Sequence, residues 1–77
     1  MSERNESEGG TVVVNGTARD IEAGTTVADL VEEVAGEPDA KGVAAALNGA
    51  VVPRGRWRLL ELQDGDRVEI LTAVQGG

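Results

Sequence analysis

The chain has 77 residues, 40% of them hydrophobic, a length that accommodates one small domain. Cysteine and histidine are both absent, which excludes disulfides, thiolate metal sites, a cysteine nucleophile and the commonest general base near neutral pH. A formal net charge of −7 argues against nucleic acid and against anionic membrane surfaces, since both are bound by clustered basic residues.

Residues 1–10 hold no large apolar side chain after Met1, and Glu3, Glu6 and Glu8 outnumber Arg4. Such a segment cannot bury enough surface to offset the entropy of ordering, so it reads as a disordered acidic tail and not as a signal peptide. No later stretch approaches the roughly 20 apolar residues of a membrane span, and a cytoplasmic protein is expected. The domain proper is then 11–74, followed by a flexible ending at 75–77.

Thr11-Val12-Val13-Val14-Asn15 is β-branched and predicts a strand. Asn15-Gly16 tolerates the positive φ of a type I′ hairpin turn, and the return strand is Thr17 to Ile21, an edge strand by its charges. Thr26 and Asp29 form a capping-box pair at the start of a helix over Val27 to Val34. Val27, Leu30, Val31 and Val34 fall at i, i+3, i+4 and i+7, which makes one apolar stripe, and Gly36 with Pro38 ends the helix. Val43 to Leu47, Asn48-Gly49 and Ala50 to Val52 read as strand, turn and strand, the alanines letting a helix pack closely above. Arg54 to Leu62 has no clean period and predicts a loop with a short helical turn. Gln63-Asp64-Gly65-Asp66 is a tight turn, and Arg67 to Ala73 is the last strand, with Val68, Ile70 and Thr72 on one face. This order of elements predicts an α+β fold, a mixed sheet of four or five strands crossed by one helix. The closed solution for so short a chain is a β-grasp, with the first and last strands parallel at the centre.

The last strand runs into Val74-Gln75-Gly76-Gly77. Glycine makes up 11 of the 77 residues, so a terminal pair would arise by chance in about 2% of chains of this composition. Two residues without side chains can thread a narrow channel with unrestricted φ and ψ. With the inventory of nucleophiles and bases so thin, the Gly77 carboxylate is the candidate reactive group and no catalytic residue is assigned.

Several pieces together resemble the ThiS family of sulfur carriers in thiamine biosynthesis. They are Val14-Asn15-Gly16, Thr26-Val27-Ala28-Asp29-Leu30, Ala46-Leu47-Asn48, Val52-Pro53-Arg54 with Trp57, Asp64-Gly65-Asp66 with Val68-Glu69-Ile70, and Ala73-Val74-Gln75-Gly76-Gly77. The resemblance spans Thr11 to Gly77 and implies a ubiquitin-like β-grasp whose tail residues Val74, Gln75 and Gly76 enter a partner's channel. It also implies that an E1-like, ThiF-type adenylyltransferase adenylates Gly77 with ATP and magnesium. A sulfur donor such as a cysteine desulfurase would then form a thiocarboxylate, and thiazole synthase would take the sulfur. The carrier itself binds no cofactor. Related readings are a carrier for molybdopterin or cysteine synthesis, a ubiquitin-like protein modifier, or a plain β-grasp binding module. The acidic tail and the scarcity of aromatic residues depart from the family pattern.

Other features weigh less. Asp64-Gly65-Asp66 lacks the wider oxygen-ligand loop of a calcium site and reads as a turn, so no metal is assigned. Gly9-Gly10 lacks the lysine and helix start of a phosphate-binding loop. Arg54, Arg56 and Arg58 form the one basic cluster, either a solvated loop or a partner contact. Trp57 fits a core lid better than an exposed anchor, though it stands with the arginines as a candidate partner contact.

Overall fold

A computed structural model describes residues 9–37 and 40–72. The elements are β1 (Gly10–Val14), β2 (Thr17–Ile21), α1 (Val27–Ala35), β3 (Val43–Leu47), β4 (Ala50–Val52), a single 3-10 turn (Arg54–Arg56) and β5 (Arg67–Thr72). They form one five-stranded sheet in the order β2-β1-β5-β3-β4. β1 and β5 are parallel, with Val13 opposite Arg67 and Val14 opposite Val68. The other pairings are antiparallel. The last strand is therefore central and parallel to the first, as a β-grasp requires. Among the described residues no helix is long and apolar enough to cross a membrane.

One face of the sheet carries the core. Val12 and Val14 of β1, Ala45 of β3, Val52 of β4, and Val68 and Ile70 of β5 are buried against Val27, Ala28, Leu30 and Val31 of α1. The strand pattern in β5 is strict: Val68 and Ile70 are buried while Arg67, Glu69 and Leu71 are exposed. Two details differ from the sequence reading. Val34 is 38% exposed, because the helix ends at Ala35, and Ala28 takes the fourth buried position in its place. Of the three alanines in β3, Ala45 alone is buried under the helix, since period-2 alternation turns Ala44 and Ala46 to the opposite face.

The helix is closed at both ends. Thr26 accepts from the Asp29 N–H at 3.2 Å and the Asp29 carboxylate accepts from the Thr26 N–H at 2.9 Å, a complete capping box. The Val27 and Ala28 N–H groups donate to the carbonyls of Leu60 and Trp57 at 3.1 and 3.0 Å. The donors that every helix start leaves over are thus taken up by the segment after the 3-10 turn. Gly36 stops the helix at φ 94°, a left-handed position. Pro38 lies outside the described residues.

Both Asn-Gly pairs form turns, Asn15 at φ 51° with Gly16 at 85° and Asn48 at φ 52° with Gly49 at 90°. Each asparagine side chain then reaches β5. The Asn48 Oδ1 accepts from the Arg67 N–H at 2.9 Å, and its Nδ2 donates to Asp66 at 3.0 Å, fixing the start of the strand. The Asp64–Asp66 turn is tied down similarly. Asp64 Oδ1 accepts from the Thr11 N–H at 2.8 Å, and Asp66 Oδ2 accepts from the Gln63 N–H at 2.8 Å. These carboxylates are structural acceptors, and among the described residues no acidic cluster is placed to hold a metal ion.

β1 begins at Gly10, one residue inside the stretch read as tail. The reason is close packing. A Cβ on Gly10 would lie 2.7 Å from Cβ of Asp64, and one on Gly9 would lie 1.5 Å from the Ile21 carbonyl oxygen. Glycine at 9 and 10 lets the first strand lie against its neighbours. Residues 1–8 lie outside the described residues.

Candidate functional site

Gly77, Gly76, Gln75 and Val74 lie outside the described residues, so the structure gives the ground from which they leave. That ground is the end of β5. Val43 faces Thr72 and Ala44 faces Leu71 on the β3 side, so the strand is paired along its length there. On the other side β1 stops pairing at Val14 and turns away. The Asn15 side chain takes over the ladder at that point. Its Oδ1 accepts from the Ile70 N–H at 2.8 Å and its Nδ2 donates to the Ile70 carbonyl at 3.1 Å. A side-chain amide here does the work of a peptide group, satisfying a strand residue that β1 no longer reaches.

The register brings the basic segment to the same end of the sheet. Val52 faces Ala45, which faces Ile70, and β4 runs parallel to β5 across β3. Pro53 and Arg54 therefore follow on at the end where β5 finishes. Arg54 donates to the Ala40 carbonyl at 2.9 Å, and its guanidinium sits 4.7 Å from the Trp57 ring centroid. Trp57 is 2% exposed and donates its Nε1–H to the Val52 carbonyl at 2.9 Å. Its ring is a core element covered by Arg54, and it does not offer a surface anchor. Arg56 and Arg58 are exposed on the segment that leads from this end toward the helix N-terminus.

The helix-free face of the sheet adds what the sequence reading did not single out. Leu71 is 67% exposed and Val51 is 77% exposed, with Ala44 and Ala46 between them on the same face. Alternation along β5 and β4 would have placed both residues outward. The Asn15 contact left a weaker trace, because an asparagine before glycine is explained by the turn alone. On the opposite side, β2 and α1 bound an open groove of about 490 Å³ with Asp20, Glu22, Asp29 and Glu32 in its lining. Arg19 and Glu33 pair there at 2.5 Å, both side chains well exposed. This groove is polar and solvated and is built from other elements than the β5 exit.

Comparison with known proteins agrees with this fold. The ThiS family model matches residues 12–77, which includes the whole terminal segment. The sulfur carrier protein ThiS of Escherichia coli (strain K12) is 33% identical over 66 residues, covering 86% of this chain and 97% of that protein. A thiazole synthase of Paramagnetospirillum magneticum is 33% identical over 66 residues as well, covering 86% of this chain but 20% of that much longer protein. A crystal structure of the thiamine biosynthesis protein ThiS from Geobacter metallireducens superposes with a TM-score of 0.66 at 29% identity, covering 87% of this chain and 99% of that one. The chain belongs to the ThiS family, small sulfur carrier proteins of β-grasp fold that are not themselves enzymes.

Proposed function

We propose that this chain carries sulfur on Gly77 for the formation of a thiazole ring. A terminal carboxylate is ionised at neutral pH and is a poor acyl electrophile. Activation therefore comes first. A Gly77 carboxylate oxygen attacks the α-phosphorus of ATP on a ThiF-type adenylyltransferase, with magnesium, and pyrophosphate leaves. The terminal sulfur of a persulfide on the donor, a cysteine desulfurase or another source, then attacks the acyl carbon, and AMP departs with that carboxylate oxygen to leave an acyl disulfide with the donor. A thiol attacks the donor-side sulfur, forming a disulfide with the donor and releasing the thiocarboxylate. Thiazole synthase takes the sulfur, and hydrolytic release returns the carboxylate.

The observation that carries the thiazole assignment is the match to thiazole synthases. A unit 33% identical to this one occurs inside a chain of that name, and fusion of two activities in one chain fits components that meet in one reaction sequence. The family match through Gly77 supports the tail as the working part. On the carrier, Leu71 and Val51 offer apolar contact beside the exit of β5. Arg54, Arg56 and Arg58 offer charge at and beyond the same end.

The first test is ATP–pyrophosphate exchange by a purified ThiF-type enzyme. Exchange should depend on this chain and be lost when Gly77 is deleted. Exchange that persists with the deletion variant would remove the Gly77 carboxylate from the reaction. The second test is a single turnover of the thiocarboxylated chain with thiazole synthase, which should return it to its starting mass. A thiocarboxylate left untouched by an active synthase would redirect the sulfur to another product.

A further inference from the structure

We infer that Asn15 is a positioning residue for the reaction at Gly77, acting through Ile70 to hold the direction in which β5 leaves the sheet. The inference rests on the carrier reading above. Asn15 adopts φ 51°, a left-handed conformation in which glycine would be under no strain. The hairpin would close with glycine there. The amide is what glycine could not supply, and both of its ends are engaged by Ile70, at 2.8 and 3.1 Å.

The location of this contact gives it a consequence. Because Arg67 bonds toward Asn48, the alternation of the ladder turns Ile70 and Thr72 toward the β1 side. β1 has already turned off at Val14, so Asn15 is the last hydrogen-bonding partner on that side among the described residues. Ile70 is seven residues from Gly77 (77 − 70), and an extended segment of that length spans at most roughly 25 Å. A change of direction at Ile70 is multiplied along that length, so an adenylation site that accepts the tail must order a wider cone of approach when the contact is missing. Held on β3 alone, the end of β5 would splay. Held on both sides as far as Ile70, the strand keeps one direction to that point.

The chain contains its own control. Asn48 has the same turn conformation at φ 52°, precedes a glycine in the same way and also bonds β5 through its amide. Its contact is at Arg67, at the start of the strand. Asn15→Gly and Asn48→Gly each keep a turn compatible with positive φ and each remove one amide from β5. A merely structural role predicts that the two behave alike.

The experiment compares wild type, Asn15→Gly, Asn48→Gly and Asn15→Asp, the last keeping an acceptor for the Ile70 N–H. Amide hydrogen exchange is measured first. Asn15→Gly should lose protection at Ile70 beyond any global change, whereas Asn48→Gly should lose it at Arg67. Adenylation by a ThiF-type enzyme is then measured with the carrier as varied substrate, at a temperature where all four are folded. Loss of two neutral hydrogen bonds should lower kcat/KM for Asn15→Gly by about 5–10-fold, carried by KM. Asn48→Gly should stay within about twofold of wild type, and Asn15→Asp should fall between wild type and Asn15→Gly. Equal kcat/KM for the two glycine variants, or unchanged protection at Ile70 in Asn15→Gly, overturns the inference and leaves the carrier reading standing. Wild type that is never adenylated overturns the carrier reading and this role with it.

Discussion

Trp57 is the one aromatic residue in the chain, and its surroundings explain why one suffices. The ring is 2% exposed, its Nε1–H is bonded to Val52, and its own carbonyl accepts from Ala28 at the helix start. It therefore joins β4, the following turn and α1. Trp57→Ala should destabilise the domain by about 3–5 kcal/mol, read as a lower midpoint in urea unfolding. A loss under 1 kcal/mol would mean that the neighbours collapse into the space, contrary to the packing described. Gly10 makes the opposite case, a residue defined by what it lacks. Gly10→Ala should cost about 1–3 kcal/mol, because the added Cβ meets Asp64 at 2.7 Å. Stability equal to wild type would show that Asp64 moves aside freely. On the exposed face, Leu71→Asp should leave unfolding unchanged and raise the KM for adenylation about tenfold, through lost apolar contact and added charge. An unchanged KM would remove the outer face from the partner surface.

At the scale of the element, what could be read from the sequence depended on whether a signal had one local cause. Thr26 and Asp29 predicted the capping box because the motif is closed within four residues, and the structure contains both of its bonds. Thr26→Ala should cost about 1 kcal/mol. A double-mutant cycle with Asp29→Ala should show coupling, since either change breaks the reciprocal pair. Additive losses would mean that the two bonds act independently. The strands were legible because period-2 burial and Asn-Gly turns coincide. The buried side of α1 was legible to within one residue, Ala28 for Val34, because a stripe read from large side chains alone overlooks a buried alanine. Less could be read where the contact is long-range. Asn15 and Ile70 are 55 residues apart, as are Thr11 and Asp64 within two, and nothing local in either segment encodes such a pairing. Gly9-Gly10 looked like tail because close packing leaves glycine as its only trace.

For the whole molecule, the architecture secures the strand from which the proposed reactive tail leaves. A sheet of five strands places β5 at its centre, and the hairpin, β3 and the helix secure it from three directions. The candidate site could be named from residue identity alone, because a terminal diglycine after a strand is a local pattern, and its residues lie outside the described ones. The exit end could not be, since it depends on the register that aligns Val52, Ala45 and Ile70 and so brings Arg54 there. The central claim is that sulfur is carried on the Gly77 carboxylate. Its most direct test is the intact mass of the chain after incubation with a ThiF-type adenylyltransferase, ATP, magnesium and a sulfur donor, followed by fragmentation. The account predicts a gain equal to the replacement of one oxygen by sulfur, confined to Gly77 and abolished by its deletion. An unchanged mass, under conditions that charge the Escherichia coli relative with its own enzyme, would contradict it.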